Sequence, residues 1–353
     1  MRAPIIAGLL VLAGLLAVGL ATRPVSDEDS PPAPAVAAVL SAAPSAPVAE
    51  TRIAALPDGP LIGLADNRPE TIFDKRFERS GIRRMRVQVP FDDIARGGLR
   101  VRYLDSWLET ARGHGIEPLV AFYRSARSPD LLPSVETFRR NFRLLRRRYP
   151  WVRYFSTWDE ANFPGAQPTG DSPRRTALYY RALRDECSED RCTVITPGFR
   201  ADGSAHSTWW LSEFKRHIGR GPHIWGLVAH PDVNRFGSDL TRAFLRQTSG
   251  PVWVTEVGAV NFFGRGLRPS IPRQTRAMHY LMEEYPRVSE RIERMYVYHW
   301  RAAAGNTQWD SALLSVDGRP RPAYRIFRDA LTPAAASPAL PTAAAQTSAL
   351  SPE

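Results

Sequence analysis

The sequence predicts a single (β/α)₈ barrel, a TIM barrel of the α/β class, over residues 56–331. Three observations lead there. Short runs rich in apolar, β-branched and aromatic residues recur between Leu61 and Trp300. Each is nearly continuous rather than alternating, as in parallel strands buried on both faces. The stretches between them repeat apolar residues at spacings of three and four, the helical period. The span is also close to the ~250 residues that such a barrel needs.

The runs, in order, are LIGLA (61–65), RMRVQV (84–89), EPLVAFY (117–123), VRYFSTW (152–158), TVITPGF (193–199), IWGLVAH (224–230), VWVTEV (252–257) and MYVYHW (295–300). Helical spacing shows in Leu104, Trp107, Leu108 and Ala111. It shows again in Phe138, Phe142 and Leu145, and in Tyr179, Leu183 and Cys187. Strands alternating with helices argue for a closed parallel barrel. The competing fold is an open doubly wound sheet. That fold carries a Gly-rich phosphate turn after its first strand, and LADNRPE (64–70) is no such turn.

The ends read differently. Residues 1–22 carry Arg2 and then an unbroken apolar run from Ile5 to Ala21, the pattern of a secretory signal. An uncleaved membrane anchor is the alternative, although roughly 17 apolar residues is short for a span. Residues 23–55 and 332–353 are rich in Ala, Pro and Ser and too poor in large apolar groups to offset their ordering entropy. They are expected to be a flexible linker and a disordered tail. The protein is therefore expected outside the cytoplasm, secreted or membrane-anchored, and monomeric.

The net charge of +11 raises the question of nucleic acid. The cations are almost all arginine, since only Lys75 and Lys215 are lysines, and they are scattered along the folded region with no nucleic-acid motif. The densest run, RRNFRLLRRR (139–148), falls where an outer helix belongs and reads as its solvated face. Affinity for an anionic glycan is the remaining use of such charge. Cys187 and Cys192 are expected to form a disulfide in an exported chain. Zinc would need two further ligands that the nearby sequence lacks. No cofactor and no metal are expected.

In a barrel the active site lies where the strands end at their C-terminal side. Those ends carry Asp66 and Asn67, Arg86 and Gln88, Tyr123 and Arg124, and then Trp158, Asp159, Glu160 and Asn162. His230, Asp232, Glu256, His299, Trp300 and Arg301 follow. So many ionisable groups at one rim would be costly without a purpose. Glu160 and Glu256 are the candidate catalytic pair. Glycoside cleavage needs one protonated carboxyl to help the leaving oxygen depart and one ionised carboxylate to attack.

The span from Leu61 to Arg328 resembles the clan A glycoside hydrolases, with families 39 and 5 the nearest likeness. WDEANFP (158–164) is similar to the clan's acid/base motif, and WVTEVGA (253–259) to its nucleophile motif. TPGFRADGSAHSTWWLSEF (196–214) and WGLVAHPD (225–232) are similar to the fifth and sixth strands of family 39. YHW (298–300) resembles the eighth, whose Trp floors a sugar subsite, and Arg86 stands where the clan has an Arg near the nucleophile. The resemblance implies a retaining O-glycosidase acting by double displacement on an extracellular or cell-wall glycan. Glu160 would be the acid/base and Glu256 the nucleophile. Trp158, Asp159, Asn162, Arg86, His230, Asp232, Tyr123, His299 and Trp300 would bind substrate.

Three positions depart from the pattern, one of them on strand six, where the clan's Tyr near the nucleophile is Asp232 or His230 here. Asp159 replaces the clan's Asn and can only accept hydrogen bonds when ionised, here from a substrate 2-hydroxyl. Ala161 replaces its Pro. Asp159 thus leaves a second reading open, a weakly active or inactive glycan-binding barrel at the cell surface. A metal-dependent hydrolase built from His230, Asp232, Glu160 and His299 is a third. Arg124 and His206 are candidate subsite donors. Of Trp209 and Trp210, one is expected in the core and one at the cleft.

Overall fold

A computed structural model describes residues 56, 59–187, 192–264, 266–306 and 308–331. The expected signal or anchor, linker and tail lie outside the described residues. The strands in chain order are β1 (Leu61–Ala65), β2 (Arg84–Pro90), β3 (Glu117–Tyr123), β4 (Tyr154–Ser156), β5 (Thr193–Ile195) and β6 (Gly198–Arg200). β7 (Trp225–Val228), β8 (Val252–Val257), β9 (Phe262–Phe263), β10 (Ile292–Tyr298) and β11 (Trp309–Asp310) follow. Nine form one sheet, in the order β5-β4-β3-β2-β1-β10-β8-β7-β6, and every pairing in it is parallel. β9 and β11 make a separate antiparallel pair.

First and last strands meet, because β1 pairs with both β2 and β10. The remaining seam lies inside what the sequence predicts as one fifth strand. Its first half, β5, pairs with β4, and its second half, β6, pairs with β7. Pro197 stands between them and has no N–H to give to a ladder. Thr196 covers the junction: its N–H donates to Ile224 O at 2.9 Å, and its Oγ1 accepts from Gly226 N at 2.9 Å. Gly198 N then donates back to Trp158 O at 2.7 Å. A Cβ on Gly226 would sit 2.8 Å from Pro197 O, so the seam needs glycine there. The eight-stranded circuit therefore closes, with its fifth member broken in two. The sixth is shorter than expected, since His230 opens the helix His230–Asn234 instead of ending a strand.

The barrel interior holds Ala65, Leu119, Ile195, Trp253 and Tyr296. Arg294 lies within it, its guanidinium 3.8 Å from the Trp253 ring centre and 4.5 Å from that of Tyr154, and it pairs with Glu117. The larger core lies between strands and helices and includes Trp107, Phe142, Tyr179 and Leu183. The helix Val135–Arg148 buries Phe138, Asn141, Phe142 and Leu145. Its arginines turn outward, Arg143 to Glu186 at 2.7 Å and Arg148 to Asp105 at 2.6 Å. The basic run thus lies on a solvated helix face, as expected, and ion pairs to neighbouring helices cover part of it.

Among the described residues, no helix is long and apolar enough to cross a membrane. Cys187 and Cys192 form a disulfide with Cα atoms 5.2 Å apart. It closes a short loop, so its entropic contribution is about 2 kcal/mol. Replacing both cysteines with serine should lower the thermal midpoint by the few degrees that this energy implies. Two free thiols in the unreduced, alkylated protein would contradict the pairing.

Candidate active site

The strand ends bring Arg86, Gln88, Asp159, Glu160, His230, Glu256 and Tyr298 to one rim of the barrel. Arg86 is at the centre, on β2 and 2% exposed. Its Nη1 donates to Glu256 Oε2 at 2.7 Å, and its Nη2 pairs with Asp159 Oδ1. One guanidinium thus bridges two carboxylates from opposite parts of the sheet. Gln88, two residues along the same face of β2, donates to Asp159 Oδ2. Asn67 accepts from Gln88 N at 2.8 Å and holds that strand end. On the other side of Glu256, His230 Nε2 lies 3.1 Å from Oε1.

Glu160 is placed differently. Its backbone sits in the left-handed region at φ 45, which non-glycine residues seldom adopt. Such strain persists only where the surroundings impose it, and it gathers at functional sites. Here Ala161 N donates to Gly198 O at 3.2 Å and Phe163 N to Glu160 O at 3.0 Å, fixing both sides of the kink.

The two glutamates are driven apart electrostatically. Burial pushes the Glu160 carboxyl up, and the charges of Asp159 and Glu256 push it further, to about 8. Arg200 and Arg86 oppose that rise. Burial would raise Glu256 too, but Arg86 and His230 outweigh it and hold the carboxyl down to about 2. Near neutral pH one carboxyl is an acid and the other an anion. Burial pushes Asp159 up as well, against the pull of Arg86.

Several expected ligands already have partners within the protein. Trp300, expected to floor a subsite, is 1% exposed. It packs edge-on against Phe77 and Tyr324 at 5.6 and 5.7 Å and donates its indole N–H to Asp74 at 3.1 Å. It has no free face for a sugar. Trp158 is likewise buried, stacked on Phe91 and Tyr179, with its N–H on Gln167. Asp232 caps the helix Asp239–Gln247, accepting from Leu240 N at 3.2 Å and Thr241 N at 2.7 Å. Asn162 spends its amide on Arg200 and Ser207. Asp159 is 1% exposed and has both oxygens engaged, so neither is left for a 2-hydroxyl. In each case a group within the protein satisfies the polar atoms before a ligand can. Burial pushes the His299 imidazole down to about 4, leaving it neutral.

Tyr123 stays at the rim, half-buried near Glu160. Arg124 donates to Ala166 O at 2.7 Å, and His206 Nε2 lies 3.0 Å from Gly170 O. Of the tryptophan pair, Trp210 is in the core and Trp209 is 45% exposed. Two site residues received no role from the sequence. Tyr298 ends β10 near Glu256, where burial and that carboxylate push its hydroxyl up. Trp309, on β11, places its ring edge-on to His230 at 4.8 Å. Among the described residues, no group of three or more His, Cys, Asp or Glu is placed to hold a metal ion.

The chain was compared with known proteins. No protein-family profile matches it, and no curated protein matches it in sequence. Solved structures do. An endo-1,4-beta-xylanase from Caldicellulosiruptor owensensis superposes with a TM-score of 0.56 at 12% identity, over 77% of this chain and 97% of that one. A family 39 glycoside hydrolase from Bacteroides cellulosilyticus WH2 gives 0.54 at 15%, over 78% and 64%. Xylanase 10B from Thermotoga maritima gives 0.53 at 10%, over 76% and 94%. The fold is a TIM barrel. At these identities the likeness concerns the fold, and function rests on the site itself.

Two outcomes follow for this TIM barrel. Arg86→Met leaves Glu256 and Asp159 without their buried countercharge and should destabilise the protein by about 3–5 kcal/mol in chemical denaturation. Trp300→Ala should cost about 3–5 kcal/mol as a core cavity. A Trp300→Ala protein of native stability with weakened glycan binding would restore Trp300 as a sugar platform.

Proposed function

We propose that the protein is a retaining O-glycosidase with Glu256 as nucleophile and Glu160 as acid/base. The observation that carries this reading is the pair of carboxyls at one rim whose surroundings push them in opposite directions. Glu256, ionised by Arg86 and His230, attacks the anomeric carbon as the bond to the leaving oxygen breaks, and Glu160 gives that oxygen its proton. A glycosyl ester on Glu256 results. Water then attacks the anomeric carbon from the opposite face, the bond from that carbon to Glu256 breaks and frees the carboxylate, Glu160 takes the water's proton, and the sugar leaves with its configuration retained. The likeness to solved xylanases and a family 39 glycoside hydrolase supports a glycan substrate. The disulfide favours an oxidising, extracytoplasmic compartment and hence an extracellular polysaccharide.

Asp159 favours one other reading. It shares Arg86 with Glu256 and is closed to substrate, which suits a barrel that holds a glycan with little turnover. Oligosaccharide binding without hydrolysis of any aryl glycoside would select it.

The retaining route needs carboxyl groups about 5–5.5 Å apart in a sugar complex; a spacing beyond ~6.5 Å would point to inversion. Glu256→Gln should abolish turnover whatever the leaving group. Glu160→Gln should slow poor leaving groups by about 10²–10⁴-fold and spare activated ones, with azide restoring the second step. The pH profile has a definite sign. Glu160 acts as acid only while protonated, so kcat/KM should fall as pH rises through about 8. Glu256 must be ionised, so the acid limb should lie far below neutrality, where its carboxylate takes a proton. A profile still rising above pH 9 would remove Glu160 from the acid role.

A further inference from the structure

We propose that Arg200 recognises a carboxylate on the leaving-group side of the scissile bond, and that the substrate is a glycan containing uronic acid. This rests on the glycosidase reading and names its substrate class.

Arg200 ends β6, beside the loop that carries Glu160. Asn162 clamps its backbone from both sides, accepting from Arg200 N at 2.8 Å and donating to Arg200 O at 2.9 Å. The same amide nitrogen reaches Ser207 Oγ at 3.0 Å, so the clamp is itself anchored. The guanidinium lies over the Phe163 ring, 4.1 Å from its centre. Phe163 belongs to the turn that begins at Glu160, through its N–H on Glu160 O. Backbone and side-chain stem are therefore fixed, and the acid/base is a neighbour.

The guanidinium itself makes no hydrogen bond and no ion pair among the described residues. Other half-buried or buried arginines here do otherwise: Arg68, Arg86, Arg294 and Arg321 each end on a carboxylate. Asp202 feels the charge of Arg200, but its Oδ1 is taken by Ser204 N at 2.9 Å and Ser207 Oγ at 2.7 Å. Glu160 is held protonated by its surroundings near neutral pH, so it does not cancel the charge either. The Arg200 donor fork is matched by no protein acceptor among the described residues and is left to water, which an incoming anion can displace. A carboxylate fits that fork with two parallel hydrogen bonds, which an ammonium could not offer. The side follows from the chemistry: the acid must face the leaving oxygen, and Arg200 stands by the acid, while Glu256 is flanked by Arg86 and His230.

The test uses the full chain carrying Glu256→Gln, to prevent turnover, and isothermal calorimetry. The probes are β-1,4-linked oligoglucuronate and α-1,4-linked oligogalacturonate, each beside its methyl ester. At least one free acid should bind about ten-fold or more tighter than its ester. Adding Arg200→Gln should bring that ratio close to one, and Arg200→Lys, which keeps the charge without the fork, should leave part of it. Equal affinity for acid and ester, no binding of either acid, or a ratio that survives Arg200→Gln would each overturn the proposal. Native protein that hydrolyses neutral aryl glycosides yet shows no acid preference overturns this inference alone. Acid preference without hydrolysis of any glycoside overturns the glycosidase reading alone.

Discussion

The bridge from Arg86 to Asp159 and Glu256 is the constraint on which the rest of the site depends. Three ionised groups out of water would each be costly; joined, they leave one net negative charge over a hydrogen-bonded cluster. The arginine can serve both because it presents donors on two arms in a fixed plane. That plane sets the positions of β2 against the ends of β4 and β8, so the pairing aligns three strands as well as fixing a charge. The residual negative charge then acts on Glu160, whose carboxyl has no such partner and responds by keeping its proton.

Asp159 shows how one exchange alters a site without dismantling it. A neutral amide at that position would leave Arg86 wholly to Glu256. With a carboxylate there, the arginine is divided, Gln88 is recruited as a further donor, and the neighbour of Glu160 becomes an anion. Glu160 is raised by that neighbour while Glu256 remains held down by Arg86 and His230 together. His230 thus stands in for the share of Arg86 that Asp159 takes. Trp309 packs edge-on against its ring.

The seam at Thr196 and Pro197 has a related consequence. By breaking the fifth strand it lets the chain pass from pairing with β4 to pairing with β7, and Gly198 reaches back to Trp158 and forward to Ala161. The kink at Glu160 is therefore buttressed by the very segment that ends in Arg200. Glu160, its buttress and Arg200 form one local unit.

The sequence by itself determined the strand order, the helix faces and the placing of Glu160, Glu256, Arg86 and His230 at one rim. These follow from period and order: continuous apolar runs end where polar groups begin, and a parallel barrel sends all such ends to one side. The cysteine pair was legible too, because five residues' separation lets Cα atoms approach to 5.2 Å. Tertiary structure alone decided which rim residues face the cleft. Trp158, Asn162, Asp232 and Trp300 sit near strand ends like Glu160 and Glu256, but other protein groups claim their polar atoms first: Gln167 and Thr241 from the segments that follow, Ser207 and Asp74 from far along the chain. Whether a polar group meets a ligand depends on whether the fold has already satisfied it, and that partner is chosen by how the elements pack, which no periodic pattern in the sequence records.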